Sequence, residues 1–438
     1  MRHVPLALAA LLMATPQPAT AADAAVGLDA EEIELKVLIG ERRDEMARTL
    51  ARWVDVNTGS WNGPGLDAFA RLLAESLEEL RFQVEILPGD PVDLPGRGRV
   101  ATGPIGRARR KAETRASNEP LRVLLVGHFD TVFEPGSPFQ RFELDPDDSN
   151  RATGPGVADM KGGLVVLFEA LRGLQAQGSL DDADWTILLN SDEEIGSLGS
   201  RGVIDREARR AQVGFVFESA HDGGMVRSRR GLGQFHLAVQ GVDAHAGSAH
   251  DQGRSAIHEI AAKILRIEAL TDYDRGLTLN VGTVQGGTKR NIVPEHAEAW
   301  IDVRYDAPEL GQEVQQALDA VAREEVVDGT RTTLWGRLHR PPKQPTPQVD
   351  ALLEQHERVA RALGILLPQP RHAGGGTDGS LMGAVGLATL DSMGAVGGAA
   401  HTSREHVDLS SLPSRAALAA VLLRRLAIER LYGPESGR

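Results

Sequence analysis

The chain has 438 residues, 41% hydrophobic and 25% charged, with a formal net charge of −13 and no cysteine. That length exceeds one ordinary domain, so one very large domain or two of usual size are expected. The acidic balance argues against nucleic acid as a partner, because phosphate binding needs a basic face, and the missing thiols exclude disulfides, thiolate nucleophiles and sulfur metal ligands.

The N-terminus reads as a signal peptide. Arg2 and His3 are a short basic region, residues 4–13 are an apolar run too short to span a bilayer, Pro16 and Pro18 break it, and Ala19-Thr20-Ala21 is a cleavage site. Residues 1–21 would be removed, leaving a periplasmic or secreted protein with no membrane partner. Residues 66–80 carry apolar side chains at 66, 69, 72, 73, 77 and 80, a helical spacing, and 82–87 alternate as a strand. The stretch 97–115 holds Arg97, Arg99, Arg107, Arg109, Arg110, Lys111 and Arg115 against Glu113 and reads as a solvated, mobile loop. Residues 121–127 (LRVLLVG) are a buried strand. Leu164, Leu167, Phe168, Leu171 and Leu174 mark a helix face ending before Gly178, and 185–190 and 213–217 are further apolar strands. This alternation predicts an α/β fold, a mixed sheet flanked by helices.

The pattern changes near residue 230. Strands are expected at 234–240, 277–284, 297–303 and 331–335, and helices at 255–270 and 310–327. The order βαββαβ is that of a ferredoxin-like unit, so 230–340 reads as an inserted domain. The Pro-rich run 341–347 then returns the chain to a helix at 349–363, a strand at 384–390 and a closing helix at 412–431. The larger domain is thus split between 22–229 and 341–438.

Chemistry-bearing residues collect where apolar strands stop, the edge at which open α/β sheets bind ligands. His128 and Asp130 follow the strand at 121–127 in GHFDT; the carboxylate suits a partner that orients the imidazole. Asp159 lies in GPGVADMKGG, at the positive end of a helix. Glu193 and Glu194 follow 185–190 in NSDEEIGS, three adjacent carboxylates whose repulsion calls for nearby cations. Glu218 follows 213–217, and His401, in HTSREHVD, is placed after the strand at 384–390, with His406 as a rival. Singly, each has an ordinary explanation as a structural His, a helix cap or a surface acid. Together they put a His or a carboxylate after each of four strands.

GHFDT, GPGVADMKGG, DEEIGS, FES and the final His before E-x-V resemble, in order and across nearly the whole mature chain, the motifs of the dizinc exopeptidase and deacylase family. That family includes bacterial glutamate carboxypeptidase, acetylornithine deacetylase, succinyl-diaminopimelate desuccinylase and aminoacylase. The resemblance implies two zinc ions, with cobalt or manganese as substitutes in the same ligand set. It makes Asp159 the bridge, His128 and Glu218 the ligands of one ion, and Glu194 and His401 those of the other. It makes Asp130 the orienter of His128 and Glu193 the general base, taking a proton from water acidified by the metals to a pKa of about 7. His245, in GVDAHAG, would polarise the scissile carbonyl, from the same chain or from a partner subunit.

Gly374-Gly375-Gly376-Thr377-Asp378 resembles the glycine-rich substrate loop of the glutamate carboxypeptidase branch, so Gly375, Gly376 and Thr377 are expected to line the substrate site. Asn291 in RNIVPE, Arg304 in DVRY and Arg340 before Pro341 resemble lid residues that meet a substrate carboxylate. Read from its own strand, Arg304 serves equally as an exposed residue paired with Asp302 or Glu298. The basic stretch 97–115 departs from the family in being longer than the corresponding turn. The expectation is an exported two-metal carboxypeptidase that cuts the amide to a C-terminal, glutamate-like amino acid. Its partners would be a small peptide or N-acyl amino acid, and a second copy bound through the inserted domain. The alternatives are an N-acyl-amino-acid deacylase on the same site and a non-catalytic zinc-binding homologue.

Overall fold

The apolar runs of the first half become the middle of an eight-stranded sheet. In the computed structural model, which describes residues 27–94, 98–114, 116 and 118–432, its strands lie in a mixed order. Across the sheet they are Gln83–Pro88, Pro104–Arg110, Ala183–Asn190, Leu121–His128, Val213–Val216, Thr389–Asp391, Val226–Arg229 and Arg371–Ala373. Residues 1–21, Arg97 and Arg115 lie outside the described residues, and so do the signal-peptide reading and the two ends of the basic stretch.

The four central strands are parallel. Their register pairs His128 with Asn190, Val126 with Val216, and Val216 with Asp391, so all four stop at one edge. Alternation along Leu121–His128 sends Val123 and Leu125 to one face and Leu124 and Val126 to the other. The first face is covered by the helices Gly63–Glu79, Lys161–Ala176 and Ser411–Tyr432, the second by Arg201–Ala208 and Asp378–Ala384. Each such buried side chain contributes about 1.5–3 kcal/mol. Two helices not anticipated from periodicity, Ala30–Glu41 and Arg43–Val54, join the first layer, the former opened by an Asp29 and Glu32 capping box. No helix among the described residues is long and apolar enough to cross a membrane.

Residues 231–340 form a separate four-stranded antiparallel sheet, ordered Leu277–Gly286, His296–Tyr305, Gly231–Gln240 and Arg331–Arg340. The helices Ala256–Glu268 and Pro308–Arg323 close its core on Phe235, Leu237, Ile301 and Val303. The incoming and outgoing chains are clasped: Arg229 and Lys343 exchange backbone hydrogen bonds of 3.1 and 3.0 Å. Arg229 is also ion-paired with Asp391, and the Lys343 ammonium donates to the carbonyls of Val226 and Arg227.

Two expectations need correction. The apolar run 384–390 is the end of the helix Asp378–Ala384 and a turn, and only Thr389–Asp391 is strand. The apolar pattern alone does not separate a short helix from a short strand. The described middle of the basic stretch, residues 104–111, is not a solvated loop. Pro104–Arg110 is a strand of the main sheet, with Arg107 and Arg109 on the buried carboxylate of Glu207, Arg110 on Asp181 and Lys111 on Asp184. Its charges found partners far away in sequence.

One buried group sets an acid limit on this packing. His356, 1% exposed on the helix Pro347–Leu363, has no hydrogen-bond partner for Nε2, and burial, helped by the nearby charge of Arg415, lowers its pKa to about 3. The unfolded chain takes a proton there below about pH 6.5 while the native chain does not, so this group removes stability as pH falls from about 6.5 toward 3. In urea unfolding between pH 6.5 and 5, His356→Leu should therefore lose less stability than the parent, by up to about 1.4 kcal/mol per pH unit. Equal slopes would show that His356 does not titrate differently on folding.

Candidate metal centre

The ends of the central strands deliver the site. His128 is the last residue of its strand and 1% exposed. Its Nδ1 faces Asp130, 3.1 Å from the carbonyl and 3.3 Å from Oδ1, which leaves Nε2 to point at Asp159 and Glu218. Asp130 is wholly buried and has further work. It accepts from Ser60 Oγ at 2.8 Å, from the Glu193 N–H at 3.1 Å and from the Glu194 N–H at 3.2 Å. One carboxylate thus fixes both an imidazole and the turn that carries two acids.

Asp159 is set by a close approach. A Cβ on Gly163 would lie 1.9 Å from the Phe217 carbonyl oxygen, so only glycine lets the helix Lys161–Ala176 come against the strand end that carries Glu218. The loop before that helix, which includes a cis Asp159–Met160 peptide, is held by Glu405. This buried carboxylate accepts from the backbone N–H groups of Gly156, Ala158 and Asp159 at 3.2, 3.0 and 3.0 Å. From beneath, the buried Lys161 ammonium donates to the carbonyls of Trp53 and Val56. Neither Glu405 nor Lys161 was given a role from the sequence. The only signals were the acid of the terminal E-x-V pattern and the lysine of MKGG.

The two oxygens of Asp159 face different neighbours. Oδ1 lies 3.2 Å from His128 Nε2, which is 3.6 Å from Glu218 Oε2. Oδ2 lies 3.3 Å from His401 Nε2, which is 3.0 Å from Glu194 Oε2. Two donor groups result, His128, Asp159 and Glu218, and Asp159, Glu194 and His401, each able to hold a metal ion. The edges of a tetrahedron of N and O ligands around zinc are about 3.4 Å. The edges here run from 3.0 to 3.6 Å, so the donor set fits two divalent ions sharing Asp159. His401 does not follow directly on a strand. It sits in the loop between the short strands Gly397–Gly398 and His406–Asp408 at φ 63°, a left-handed conformation rarely adopted by a side chain of its size, and His406 is outside both groups.

The protonation pattern follows from packing several carboxylates together out of water. Burial raises Glu194 and Glu218 to about 8, and the charge of Asp159 adds to both shifts. Hydrogen bonds to Asp159 and Glu194 raise His401 to about 11. Burial opposes ionisation of His128 and Asp159, yet their contacts with each other and with the remaining ligands hold the imidazole protonated and Asp159 ionised. The two imidazolium groups offset the negative charge of the surrounding carboxylates, as bound divalent ions would.

Glu193 lies beside this cluster without belonging to either donor group. Burial raises it to about 8, against the pull of the adjacent Arg340. Arg340 is not open to solvent: it is 2% exposed, with Nη2 2.6 Å from Glu193 Oε1 and Nη1 2.8 Å from Asp378 Oδ1. Arg304 forks onto Asp302 at 2.7 and 2.9 Å, the pairing expected of its strand, while Nη1 reaches the Gly374 carbonyl at 3.2 Å. Gly375 is exposed, and its carbonyl accepts from Arg229; a Cβ on Gly376 would meet Leu232 at 2.6 Å. Thr377 is buried as a helix cap with its hydroxyl on Asp391, which corrects its expected place in the substrate site. His245 and Asn291 are exposed on the second unit, joined by an Ala246 N–H to Asn291 carbonyl bond of 3.0 Å, and among the described residues neither has a hydrogen bond or ion pair with a donor residue. Short-range pattern could not reveal these placements, because they depend on packing across the chain, and for Arg340 and Arg304 on how the two units meet.

Asp159→Ala should lose both ions, because it removes a ligand from each group. Metal analysis of the purified protein should fall from two ions per chain toward none, and retention of both would refute the shared ligand.

Residues 124–425 match the profile of peptidase family M20/M25/M40. The chain is 28% identical over 396 residues to carboxypeptidase G2 of Pseudomonas sp. (strain RS-16), covering 87% of this chain and 89% of that protein. It is 29% identical over 348 residues to a succinyl-diaminopimelate desuccinylase of Xanthomonas oryzae pv. oryzae, covering 74% and 89%. The fold is shared with a tripeptidase from Staphylococcus aureus subsp. aureus Mu50, with a TM-score of 0.70, 22% identity, and coverage of 88% and 98%.

Proposed function

Since the chain belongs to peptidase family M20/M25/M40 and is a metal-dependent peptidase or amidohydrolase, we propose that it is an exported two-metal carboxypeptidase that cuts the amide to a C-terminal, glutamate-like amino acid. The carrying observation is Asp159, whose two oxygens each face a His and a Glu, with Glu193 buried alongside. The carboxypeptidase direction is supported by the similarity to carboxypeptidase G2 over 87% of the chain. The succinyl-diaminopimelate desuccinylase similarity favours a second reading, an N-acyl-amino-acid deacylase on the same residues.

Two divalent ions, zinc by preference and cobalt or manganese as substitutes, would when bound supply the Lewis acidity that acidifies a water and polarises the scissile carbonyl. The chain's own residues do the rest. Glu193 has Oε1 on Arg340, while Oε2 takes no hydrogen bond from the described residues and is left for the proton of the attacking water. Glu193 then passes that proton to the leaving nitrogen. Its burial keeps its basicity near neutral pH, where a general base is most effective. Asp130 and Glu405 keep His128 and Asp159 in place through the reaction. Arg304, beside the glycine-rich loop, is the cation proposed to meet the substrate carboxylate.

The same reading includes a homodimer through the second unit. Beyond a bridge from Leu277 to Asp272, the outer side of its edge strand Leu277–Gly286 pairs with no other strand among the described residues, with Val284 58% exposed and Leu265 74% exposed on the neighbouring helix. His245 and Asn291 are proposed to serve the site of the partner copy, consistent with their exposure. The N-terminal Ala19-Thr20-Ala21 pattern supports export to the periplasm or beyond.

Glutamyl peptides set against N-acetyl and N-succinyl amino acids, with metal-loaded protein, should give turnover on the former. Turnover on the acyl amino acids alone would select the deacylase, and none on either would leave a binding protein. Glu193→Ala should lower kcat about 10²–10⁴-fold while both ions remain, and loss of metal there would exchange the roles of Glu193 and Glu194. Sedimentation at micromolar concentration should give a dimer, reduced to monomer by Val284→Lys; an unchanged state in that variant would place the interface elsewhere.

A further inference from the structure

The second unit touches the active end of the first at one catalytically assigned residue. Its last strand, Arg331–Arg340, finishes against the turn that carries Glu193. Arg340 Nη2 donates to Glu193 Oε1 at 2.6 Å and to the Glu193 carbonyl at 3.1 Å, while Nη1 donates to Asp378 at 2.8 Å. Asp378, 2% exposed, is fastened in turn by the Asn190 amide and the Ser197 hydroxyl. Beside this contact Arg201 donates to the His339 carbonyl at 2.6 Å, a second tie between the same strand end and the helix that follows the turn. Among the described residues none of the five donor residues has a hydrogen bond or ion pair with the second unit; their partners lie in the first.

We propose that Arg340 is a positioning residue for Glu193, tying the aim of the base to the seating of the second unit on the first. The inference rests on reading Glu193 as the base. A planar guanidinium that binds both a residue's carboxylate and its carbonyl limits the rotation of that side chain, and its third bond to a fastened Asp378 limits the guanidinium itself. Oε1 is held and Oε2 is presented. To clamp a substrate carboxylate instead, Arg340 would have to leave two buried carboxylates without their cation, which burial makes unfavourable. Arg304, half-exposed beside the glycine-rich loop, carries no such obligation to the base.

The test uses Arg340→Lys and Arg340→Ala in the full-length, metal-loaded protein, on whichever substrate the parent cleaves. Lysine keeps the charge and lacks the fork. Expected are a fall in kcat of about 10–100-fold with KM within about threefold, both ions retained, and partial recovery of Arg340→Ala by added guanidinium. Amide exchange should quicken at Gly196 and Ser197, whose N–H groups close the turn on Glu193 and Asp192. A rise in KM with kcat preserved would overturn the proposal in favour of a substrate clamp, as would parent-like turnover or loss of metal in Arg340→Lys. If Arg340→Ala does not fold, Arg340→Lys decides by the same measures. A parent inactive on every substrate defeats the hydrolase reading alone; exchange at Gly196 and Ser197 in Arg340→Lys then still reports whether Arg340 holds the turn, and unchanged exchange overturns it.

Discussion

Like charges held together out of water are the constraint on which this architecture turns. Asp159, Glu193, Glu194 and Glu218 meet at one edge of the sheet, with Asp130 and Glu405 directly behind them. Such a cluster is unfavourable unless each acid is given a cation, a proton or a set of N–H donors. The protein uses all three. Asp130 and Glu405 take backbone N–H groups, Glu193 takes Arg340, and the remaining three surround two imidazoles in a geometry that suits two divalent ions.

The fold supplies this arrangement cheaply because parallel strands in register end together. His128, the turn after Asn190 and Glu218 arrive at one edge by the pairing of the sheet alone. Asp159 comes from the loop before a helix instead of a strand end, and its arrival depends on a glycine contact with the Phe217 carbonyl that no larger residue permits. The supporting carboxylates matter as much as the donors, because an imidazole or an aspartate free to rotate would lose the 3.0–3.6 Å spacing of the two donor groups.

The second unit adds a different kind of control. Its clasped connection, Arg229 with Lys343 and Asp391, keeps it near the substrate edge of the sheet. Through Arg340 it reaches Glu193, and through Arg304 the glycine-rich loop. The two donor groups therefore belong to the first unit, whereas the settings of Glu193 and Arg304 depend on how the two units meet.

Local pattern in the sequence was enough to reveal the alternating strands and helices of the first unit, the βαββαβ order at 231–340, and the acids and histidines at strand ends, since burial on a sheet imposes a period that any reader can count. The order of the motifs was enough to assign the family. Contacts between residues far apart in the chain were decided only by the tertiary structure. Arg107, Arg109 and Arg110 looked like a solvated loop until Glu207 and Asp181 were brought to them, and Arg340 looked free for substrate until Glu193 and Asp378 closed on it. His401 reaches the donor cluster from a left-handed loop position that no periodicity signals. A charged side chain's role is set by the partner that neutralises it, and that partner is chosen by the packing of the whole chain and not by its neighbours in sequence.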